Sequence, residues 1–260
     1  MGSNRVNQDE YSLMAEAEES HWWYLGLHDV LLQTLTNMDD GLTSGARVFD
    51  AGCGTGGSLA FLASRFDLSY LGGIDISPRA IEIAASKVPT ADLRIGDICG
   101  SRAPPKDLDL VTCLDVVNIP GITKSLIGLR ELVSAIRPGG LFVLNVPAYG
   151  WLYSEHDIAV HTIERYSLRE TRRIMEELGL DIAVLTYRLC ALFVPLVLLR
   201  LRSVLGPLPA QTDAQSDLHR KSSRGLNRLL FTILWIENRL ISRGVRFPFG
   251  TSVYAVGRKA

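Results

Sequence analysis

The sequence predicts an α/β protein in which a mostly parallel sheet carries helices on both faces. Short apolar runs alternate with segments of helical periodicity through residues 46–150, and this alternation is typical of βαβ units. The apolar runs are nearly continuous, as expected for parallel strands that are buried on both sides. Hydrophobic residues make up 47% of the 260 residues, which is enough for a sizeable core and excludes a disordered chain.

Each element follows from its local pattern. The apolar runs predict strands at 46–52, 69–76, 92–98, 107–117, 141–148, 180–189 and 251–259. Helical periodicity predicts helices at 8–35, 57–66, 78–87, 122–136, from 167 onward, at 193–205 and at 224–243. This order predicts a Rossmann-like, seven-stranded sheet with a helical insertion between its last two strands.

Local residues define several helix ends. Ser77 is expected to cap the helix at 78–87, with a proline in its first position. Ser167 and Glu170 have the spacing of a capping box. The Pro-Gly-Gly sequence at 138–140 is expected to end the helix before it.

A glycine-rich turn joins the first strand to the helix that follows. It reads Asp-Ala-Gly-Cys-Gly-Thr-Gly-Gly over 50–57, and glycines let the backbone turn tightly and approach a ligand. Asp75 closes the second strand, where a carboxylate can accept hydrogen bonds from both ribose hydroxyls of a nucleoside. Gly52, Gly54 and Gly57 also match the spacing of nicotinamide-dependent dehydrogenases, so the turn alone leaves that alternative open.

The chain resembles the class I S-adenosylmethionine (SAM)-dependent methyltransferases in five motifs. They are VFDAGCGTGG (48–57), GGIDISPRAIEIA (72–84), IGDI (95–98), DLVTCLDVV (109–117) and IRPGGLFVLNVPA (136–148). Asp50, which precedes the first glycine, and the later acids favour this family over a dehydrogenase. The resemblance implies SAM as the cofactor and methyl transfer as the reaction.

The same resemblance implies roles for the glycine turn and for the second strand. The backbone from Gly52 through Cys53 to Gly54 would run beside the methionine part of SAM. Asp50 would position the amino group of SAM, and Asp75 would hold the ribose.

Four further residues receive cofactor roles from the resemblance. Ile76 would pack on the adenine, Asp97 would bond its amino group, and Ile98 would lie beside it. Asp115 would face the methionyl end of SAM or the acceptor. Alternatively, Asp97 and Asp115 are acidic loop residues without a role in cofactor binding.

The segment EESHWWY at 18–24 resembles a lid that recurs in this family, and Trp23 is assigned to the cofactor site on that basis. Helix packing is the alternative for Trp22 and Trp23. Relatives often carry an arginine near Leu27 that pairs with the SAM carboxylate. This chain has His28 there, which is a weak substitute.

The acceptor side is expected after the fifth strand. Histidine has an ordinary pKa that suits a general base at neutral pH, and His156 and His161 are the candidates. Tyr149 and Tyr166 would shape the pocket. Alternatively, Asp157 orients a histidine and the segment only stabilises the fold. A third ligand beside the histidines is not evident, so no metal is expected.

The chain divides into four expected parts: an N-terminal helical lid (1–45), a SAM-binding core (46–189), a helical insert (190–247) and a final antiparallel strand (248–260). Residues 189–246 hold nine basic and three acidic residues, whereas the remainder holds 18 basic and 25 acidic residues. The helix at 224–243 is apolar over most of its surface and is therefore expected to be buried. The sequence pattern leaves four roles open for the insert. It could pack on its own sheet, cover a hydrophobic acceptor, pair in a homodimer or lie in a membrane interface.

The expected function is methyl transfer from SAM to O, N or C of a small, lipophilic acceptor. A lipid, quinone or polyprenyl-linked methyltransferase at a membrane surface and a non-catalytic SAM-binding partner protein are the alternatives. Nucleic acid is not an expected partner, because the net charge is −1 and residues 115–118 lack the Asn/Asp-Pro-Pro-aromatic signature. The N-terminus lacks an apolar signal-peptide core and the four cysteines form no C-x-x-C pair, so a cytoplasmic location is expected.

Overall fold

The computed structural model describes residues 8–38, 41–98, 104–117, 126–153, 157, 162, 164–195, 197 and 223–260. These residues form a seven-stranded sheet covered by helices, so the predicted Rossmann-like α/β fold is confirmed. None of the helices within these residues is long and apolar enough to cross a membrane.

The helices and strands follow the predicted order. The helices are α1 (Gln8–Ser20), α2 (Trp22–Asn37), α3 (Gly57–Arg65), α4 (Pro78–Lys87), α5 (Leu126–Ala135), α6 (Leu168–Glu177) and α7 (Arg224–Ser242), with a 3-10 turn at Gly150–Leu152. The strands are β1 (Ala46–Ala51), β2 (Leu68–Asp75), β3 (Asp92–Ile95), β4 (Leu108–Leu114), β5 (Ile136–Pro147), β6 (Leu180–Arg188) and β7 (Ser252–Lys259). Residues 190–195 are helical as well.

The strand order is β3-β2-β1-β4-β5-β7-β6. All neighbours pair in parallel except β7, which lies antiparallel between β5 and β6. The order reverses between β1 and β4, so the loops after β1, β2 and β4 open at one edge of the sheet. One face of the sheet packs on α5 and α6, and the other packs on α2 and α3.

The predicted helix at 8–35 is broken at His21. The His21 ring accepts from the backbone N–H of Trp23 at 3.4 Å, so this residue ends one helix and caps the next. The side-chain oxygen of Asn227, on α7, accepts from the backbone N–H of Trp22 at 2.9 Å. The break is therefore held by a residue 205 positions away in the sequence, which helical periodicity does not reveal.

The prediction for residues 138–140 was wrong. The helix before them ends at Ala135, and β5 begins at once with Ile136. Leu108 pairs with Ile136 and Leu110 with Leu141, so the Pro-Gly-Gly sequence forms a bulge inside the strand instead of a stop after the helix. Residues 118–125, which include the predicted start of that helix, lie outside the described residues.

Helix α7 confirms the helix predicted at 224–243, but it is not buried all round. Leu234, Glu237, Asn238 and Ile241 form its buried face, and the opposite face is exposed. A Cβ at Gly26 of α2 would overlap the Leu234 side chain, so glycine there permits the close approach of the two helices. Most of the helix predicted at 193–205 lies outside the described residues.

Candidate active site

The glycine turn after β1 adopts the conformation that its sequence predicts. Gly52 and Gly54 have φ angles of +79° and +51°, in the left-handed region that favours glycine. The N–H groups of Gly52 and Cys53 both donate to the carbonyl of Ile74, at 2.7 and 2.9 Å, which ties the turn to β2. Among the described residues, only Met14 comes near the position that a Cβ on Gly54 would take, so the backbone there can be approached closely.

Two carboxylates flank this turn. One Asp75 oxygen accepts from the N–H of Gly54 at 3.0 Å, and the other accepts from the N–H of Ser77 at 2.8 Å. Asp50 lies beneath the turn at 2% exposure, where its carboxylate accepts from the Thr112 hydroxyl at 2.6 Å. Burial, together with the charges of Asp75 and Glu18, raises the pKa of Asp50 to about 7, although the hydrogen bond from Thr112 opposes the rise. Negative charge is therefore crowded around the turn.

Helix α1 covers the turn and adds a third carboxylate. Glu18 is 7% exposed and lies so close to Gly57, at the start of α3, that a Cβ there would overlap its carboxyl group. Lys87 of α4 forms an ion pair with Glu18 and also donates to the carbonyl of Ala15 at 3.2 Å. These contacts hold α1 over the glycine turn.

The side of the site next to β3 agrees with the predicted arrangement of motifs. Asp75 pairs with Ile95 across the two strands, and the carbonyl of Asp75 accepts from the N–H of Gly96 at 2.9 Å. The segment with Asp97 and Ile98 therefore follows beside Asp75. Asp97 is partly buried and Ile98 is buried in the core.

Ile76 follows Asp75 and is 61% exposed, so a flat ligand at this edge of the sheet could pack on it. The contacts of Ile76, Asp97 and Ile98 with a cofactor stay predictions.

Asp115 follows β4 and is held by a polar chain that the motifs did not reveal. Its φ is +56°, and its N–H donates to the carbonyl of Asn145 at 2.8 Å. The Asn145 amide donates back to the Asp115 carboxylate at 2.8 Å and accepts from Arg188 at 3.1 Å. Arg188 is 1% exposed. Burial raises the pKa of Asp115 to about 6, although Asn145 and Arg188 oppose that rise.

The aromatic residue of the lid segment that interacts electrostatically with the site acids is Tyr24, whereas the residue selected from the sequence is Trp23. Trp23 packs beside Leu189, Leu192 and Leu234, as in the helix-packing alternative. Burial raises the pKa of Tyr24 well above its ordinary value, and the charges of Glu18 and Asp115 add to the rise. Tyr24 therefore lies in the field of the site carboxylates. The assignment of Trp23 to the cofactor stays a prediction.

His28 does not replace the missing arginine. Its ring stacks on Phe61 with the centroids 4.7 Å apart, and it lies 3.4 Å from the Ser58 hydroxyl. Burial, and then the charge of Lys87, lower the pKa of His28 to about 4. The ring is therefore neutral at pH 7 and supplies no cation for a carboxylate.

An aromatic cluster lies at the same edge of the sheet, beyond β5. Tyr149 stacks on Tyr187 at 5.0 Å between centroids and contacts Trp151 and Phe193 at 5.7 Å each. Phe193 also contacts Trp151 at 6.0 Å and Phe249 at 5.3 Å. Trp151 is 57% exposed and Phe249 is 38% exposed, so one side of the cluster is open. Of these five, sequence reasoning selected only Tyr149.

Hydrogen bonds from two residues, Arg165 and Tyr166, fix the segment that follows the cluster. Arg165 donates twice to Asp157, at 2.9 Å each, and once to the carbonyl of Ala148 at 2.9 Å. Tyr166 donates to the carbonyl of Val117 at 2.9 Å. Tyr166 therefore joins the loops after β4 and β5, and its place in the acceptor pocket stays a prediction.

Arg165 is thus a partner of Asp157, and the alternative in which Asp157 orients a histidine stays a prediction. The candidate bases His156 and His161 lie outside the described residues.

Comparison with known proteins identifies the central segment. The profile of the methyltransferase domain family matches residues 48–140. The 2-methyl-6-phytyl-1,4-hydroquinone methyltransferase of Synechocystis sp. is 31% identical over 108 residues, 40% of this chain and 33% of that protein. Trans-aconitate 2-methyltransferase of Paracidovorax citrulli is 32% identical over 107 residues, 41% of this chain and 40% of that protein. The match thus spans a third to two fifths of the length of these relatives.

A solved structure supports the fold over the whole chain. The protein in complex with the Haloferax volcanii Trm112 methyltransferase activator has a TM-score of 0.60 and 19% identity, with 98% of each chain covered. At this identity the likeness shows the fold alone. Residues 48–140 thus match the methyltransferase domain family, and the likeness to the solved structure shows a shared fold.

Proposed function

We propose that the whole chain is a SAM-dependent methyltransferase with a small, lipophilic acceptor. The observation that carries this proposal is the charge around the glycine turn, where the carboxylates of Glu18, Asp50 and Asp75 meet one cation, Lys87, among the described residues. SAM carries a sulfonium and an ammonium, so its net charge is positive at neutral pH. A cationic ligand relieves the mutual repulsion of these carboxylates.

The same feature argues against the dehydrogenase alternative. A dinucleotide places its pyrophosphate at the N-terminus of the helix after the glycine turn. Here the Glu18 carboxylate lies against Gly57, in the first turn of that helix. Two anions at one helix terminus repel each other, so a pyrophosphate is disfavoured there.

The residues present suit the nucleoside part of SAM. Each Asp75 oxygen accepts one backbone N–H, from Gly54 or Ser77, and a carboxylate oxygen has a second lone pair. Those free lone pairs can accept the two ribose hydroxyls. A Cβ on Gly52 would overlap the Val116 side chain, whereas a Cβ on Gly54 would overlap none of the described residues. The methionine part can therefore run along the backbone at Gly54.

Methyl transfer needs alignment and exclusion of water more than it needs acid–base chemistry, because the sulfonium of bound SAM supplies an activated methyl group. Helix α1, held by the Lys87–Glu18 pair, excludes water from the turn. The acceptor atom displaces the sulfonium sulfur in line, which leaves S-adenosylhomocysteine as the product. Where the acceptor is a hydroxyl, we propose that His156 or His161 takes its proton.

The aromatic cluster supports a lipophilic acceptor. Trp151 and Phe249 offer exposed ring surface at the carboxyl edge of the sheet, beyond the strand that carries Asn145. Apolar or flat ligands gain free energy by burial against such rings. One curated relative is named for a phytyl hydroquinone, which has both properties. We propose that the four predicted parts of the chain act as lid, cofactor core, acceptor-covering insert and closing strand.

Calorimetry with the two classes of ligand tests the cofactor. We expect S-adenosylhomocysteine to bind and NAD⁺ to give no heat. Asp75→Ala should weaken the binding of S-adenosylhomocysteine by about 1–3 kcal/mol, because the hydrogen bonds to the ribose are lost. Heat with NAD⁺ alone, or unchanged affinity in the variant, would contradict the assignment.

A panel of acceptors, including isoprenoid hydroquinones and trans-aconitate, tests the reaction through release of S-adenosylhomocysteine. Trp151→Ala should raise the KM of a lipophilic acceptor about fivefold to tenfold and leave the affinity for S-adenosylhomocysteine unchanged. Ile127→Ala, at a 62% exposed position on α5, is the matched control. Binding of the cofactor without turnover on any acceptor would favour the non-catalytic partner protein instead.

A further inference from the structure

Helix α7 exposes an apolar stripe on the side away from the sheet. Four large aliphatic side chains on this side are exposed, although such side chains are usually buried. Their exposed fractions are 48% for Leu226, 57% for Leu229, 51% for Ile236 and 37% for Leu240. With the partly buried Ile233, these residues are spaced by three and four positions. At 3.6 residues per turn this spacing places them in one line along the helix.

The opposite face of α7 is already engaged by the rest of the protein. Asn238 donates to the carbonyl of Gly26 and to Asp29, both at 2.8 Å. The Glu237 carboxylate accepts from the N–H groups of Leu189 and Cys190, at 2.6 and 2.9 Å. These buried contacts fix how the helix is rotated, so the stripe is held outward.

The charges beside the stripe are of one sign. Arg228 and Arg243 are exposed, Arg239 is partly buried, and helical periodicity places these three on one side of the stripe. Arg239 lies over the ring of Trp235, with 4.1 Å from its guanidinium carbon to the ring centroid. The acid of this helix, Glu237, is on the buried face. An apolar stripe edged by arginines and a tryptophan is the pattern of a helix that lies in a membrane interface.

A second copy of the chain fits this surface less well. Stripe-to-stripe packing would bring another row of arginines to the interface without a carboxylate from α7 to compensate it, and unpaired like charges disfavour association. An anionic bilayer compensates the arginines and buries the aliphatic side chains at the same time.

We propose that the exposed face of α7 docks this protein on anionic membrane surfaces, with Leu229, Ile236 and Leu240 inserted among the acyl chains and the arginines at the headgroups. The docking does not depend on methyl transfer. It does place the protein where a lipophilic acceptor would reside.

Flotation with lipid vesicles tests the docking on the full chain. We expect the protein to bind vesicles of phosphatidylcholine mixed with phosphatidylglycerol more tightly than vesicles of phosphatidylcholine alone, and salt to narrow the difference. Ile236→Asp should lower the partition coefficient at least about tenfold, because a charge enters the apolar stripe. Arg243→Gln should lower binding to the anionic vesicles about fivefold and change binding to the neutral vesicles little.

Ile127→Asp is the matched control, because Ile127 is 62% exposed on α5, away from the stripe. It should bind vesicles as the unsubstituted protein does. All variants should keep the affinity for S-adenosylhomocysteine, which shows that they are folded and separates this test from that of the proposed function. Three outcomes would overturn the proposal. They are equal partition of the two isoleucine variants, no binding to either kind of vesicle, and a dimer that Ile236→Asp dissociates.

Discussion

The two halves of the sheet are organised by different kinds of contact. In the amino-terminal half, β1 to β4, the site carboxylates of the sheet lie at or near the ends of their strands, and Asp75 accepts hydrogen bonds from nearby Gly54 and Ser77. In the carboxyl-terminal half, β5 to β7, Tyr149 meets Tyr187 from a different strand. The difference arises because β7 lies between β5 and β6, so neighbours in space are distant in sequence. A motif can therefore identify the first half of the site but not the second.

The halves also differ in how their buried acids are balanced. Asp50 and Glu18 are buried beside the glycine turn, where acidic side chains are crowded together. In the other half the buried charges include the guanidinium groups of Arg165 and Arg188, which hold the loops after β5 and β4 through Asp157 and Asn145. The acidic half suits a cationic ligand, whereas the arginines of the other half act as structural ties.

The largest expected effect comes from removing one of these buried arginine contacts. Arg165→Met removes two charge-assisted hydrogen bonds from the Asp157 carboxylate, which is buried at 1% exposure, and the free energy of unfolding should fall by about 3–5 kcal/mol. Urea denaturation measures the loss. Arg173→Met is the control, because Arg173 is 81% exposed in its pair with Glu177 and its loss should cost at most about 0.5 kcal/mol. Similar values for the two variants would mean that the loop after β5 does not need its buried ion pair.

The next effect tests the charge of the amino-terminal half. Burial raises the pKa of Asp50 to about 7, above its value in the unfolded chain, so the folded state holds a proton that the unfolded state releases. The stability of the protein should therefore fall as pH rises between about 4 and 7. Asp50→Asn removes this dependence and keeps an acceptor for Thr112. Its advantage in unfolding free energy should grow across that interval by on the order of 2–4 kcal/mol.

Asp181→Asn is the control for this pH dependence, because Asp181 is exposed on β6. We expect its unfolding free energy to follow that of the unsubstituted protein at every pH. An Asp50→Asn variant with a constant advantage from pH 4 to pH 8 would show that Asp50 is not held protonated by its surroundings.

The sequence predicted the sheet, the insertion and the glycine turn, because each depends on patterns within a few residues. Ser77 and Ser167 cap their helices as expected, and Gly52 adopts the left-handed conformation. Asn145 was missed, although a polar residue inside an apolar buried strand is a signal that could have revealed it. Its partner Arg188 is 43 residues away, and no local pattern predicts their pairing.

The broken N-terminal helix and the exposed face of α7 were missed for a related reason. The break at His21 is held by Asn227, and the rotation of α7 is fixed by Asn238, which bonds to Asp29. Periodicity shows that a helix is amphipathic or apolar, but it does not show which apolar residues find a partner. Leu234 and Ile236 look alike in the sequence, yet one is buried and the other is 51% exposed.

The smallest expected effect concerns the ion pair that holds α1 over the glycine turn. Lys87 of α4 neutralises Glu18 of α1, whose side chain is 7% exposed and close to two further acids. Lys87→Met leaves that carboxylate unpaired, so α1 should open more often. Hydrogen exchange of the α1 amides should rise by about fivefold to tenfold, while exchange in the sheet stays the same.

Arg79→Met is the matched control, because it removes an exposed ion pair with Glu82 from the same helix and leaves α1 untouched. Exchange in α1 should not change in this variant. If Lys87→Met also left α1 unchanged, the lid would be held by the packing of α1 on α2 alone. The amino-terminal half would then be stable without a long-range ion pair, unlike the half in which Arg165 and Arg188 make long-range contacts. A rise in exchange confined to α1 would instead show that a long-range ion pair also stabilises the amino-terminal half, at the point where α1 meets the glycine turn.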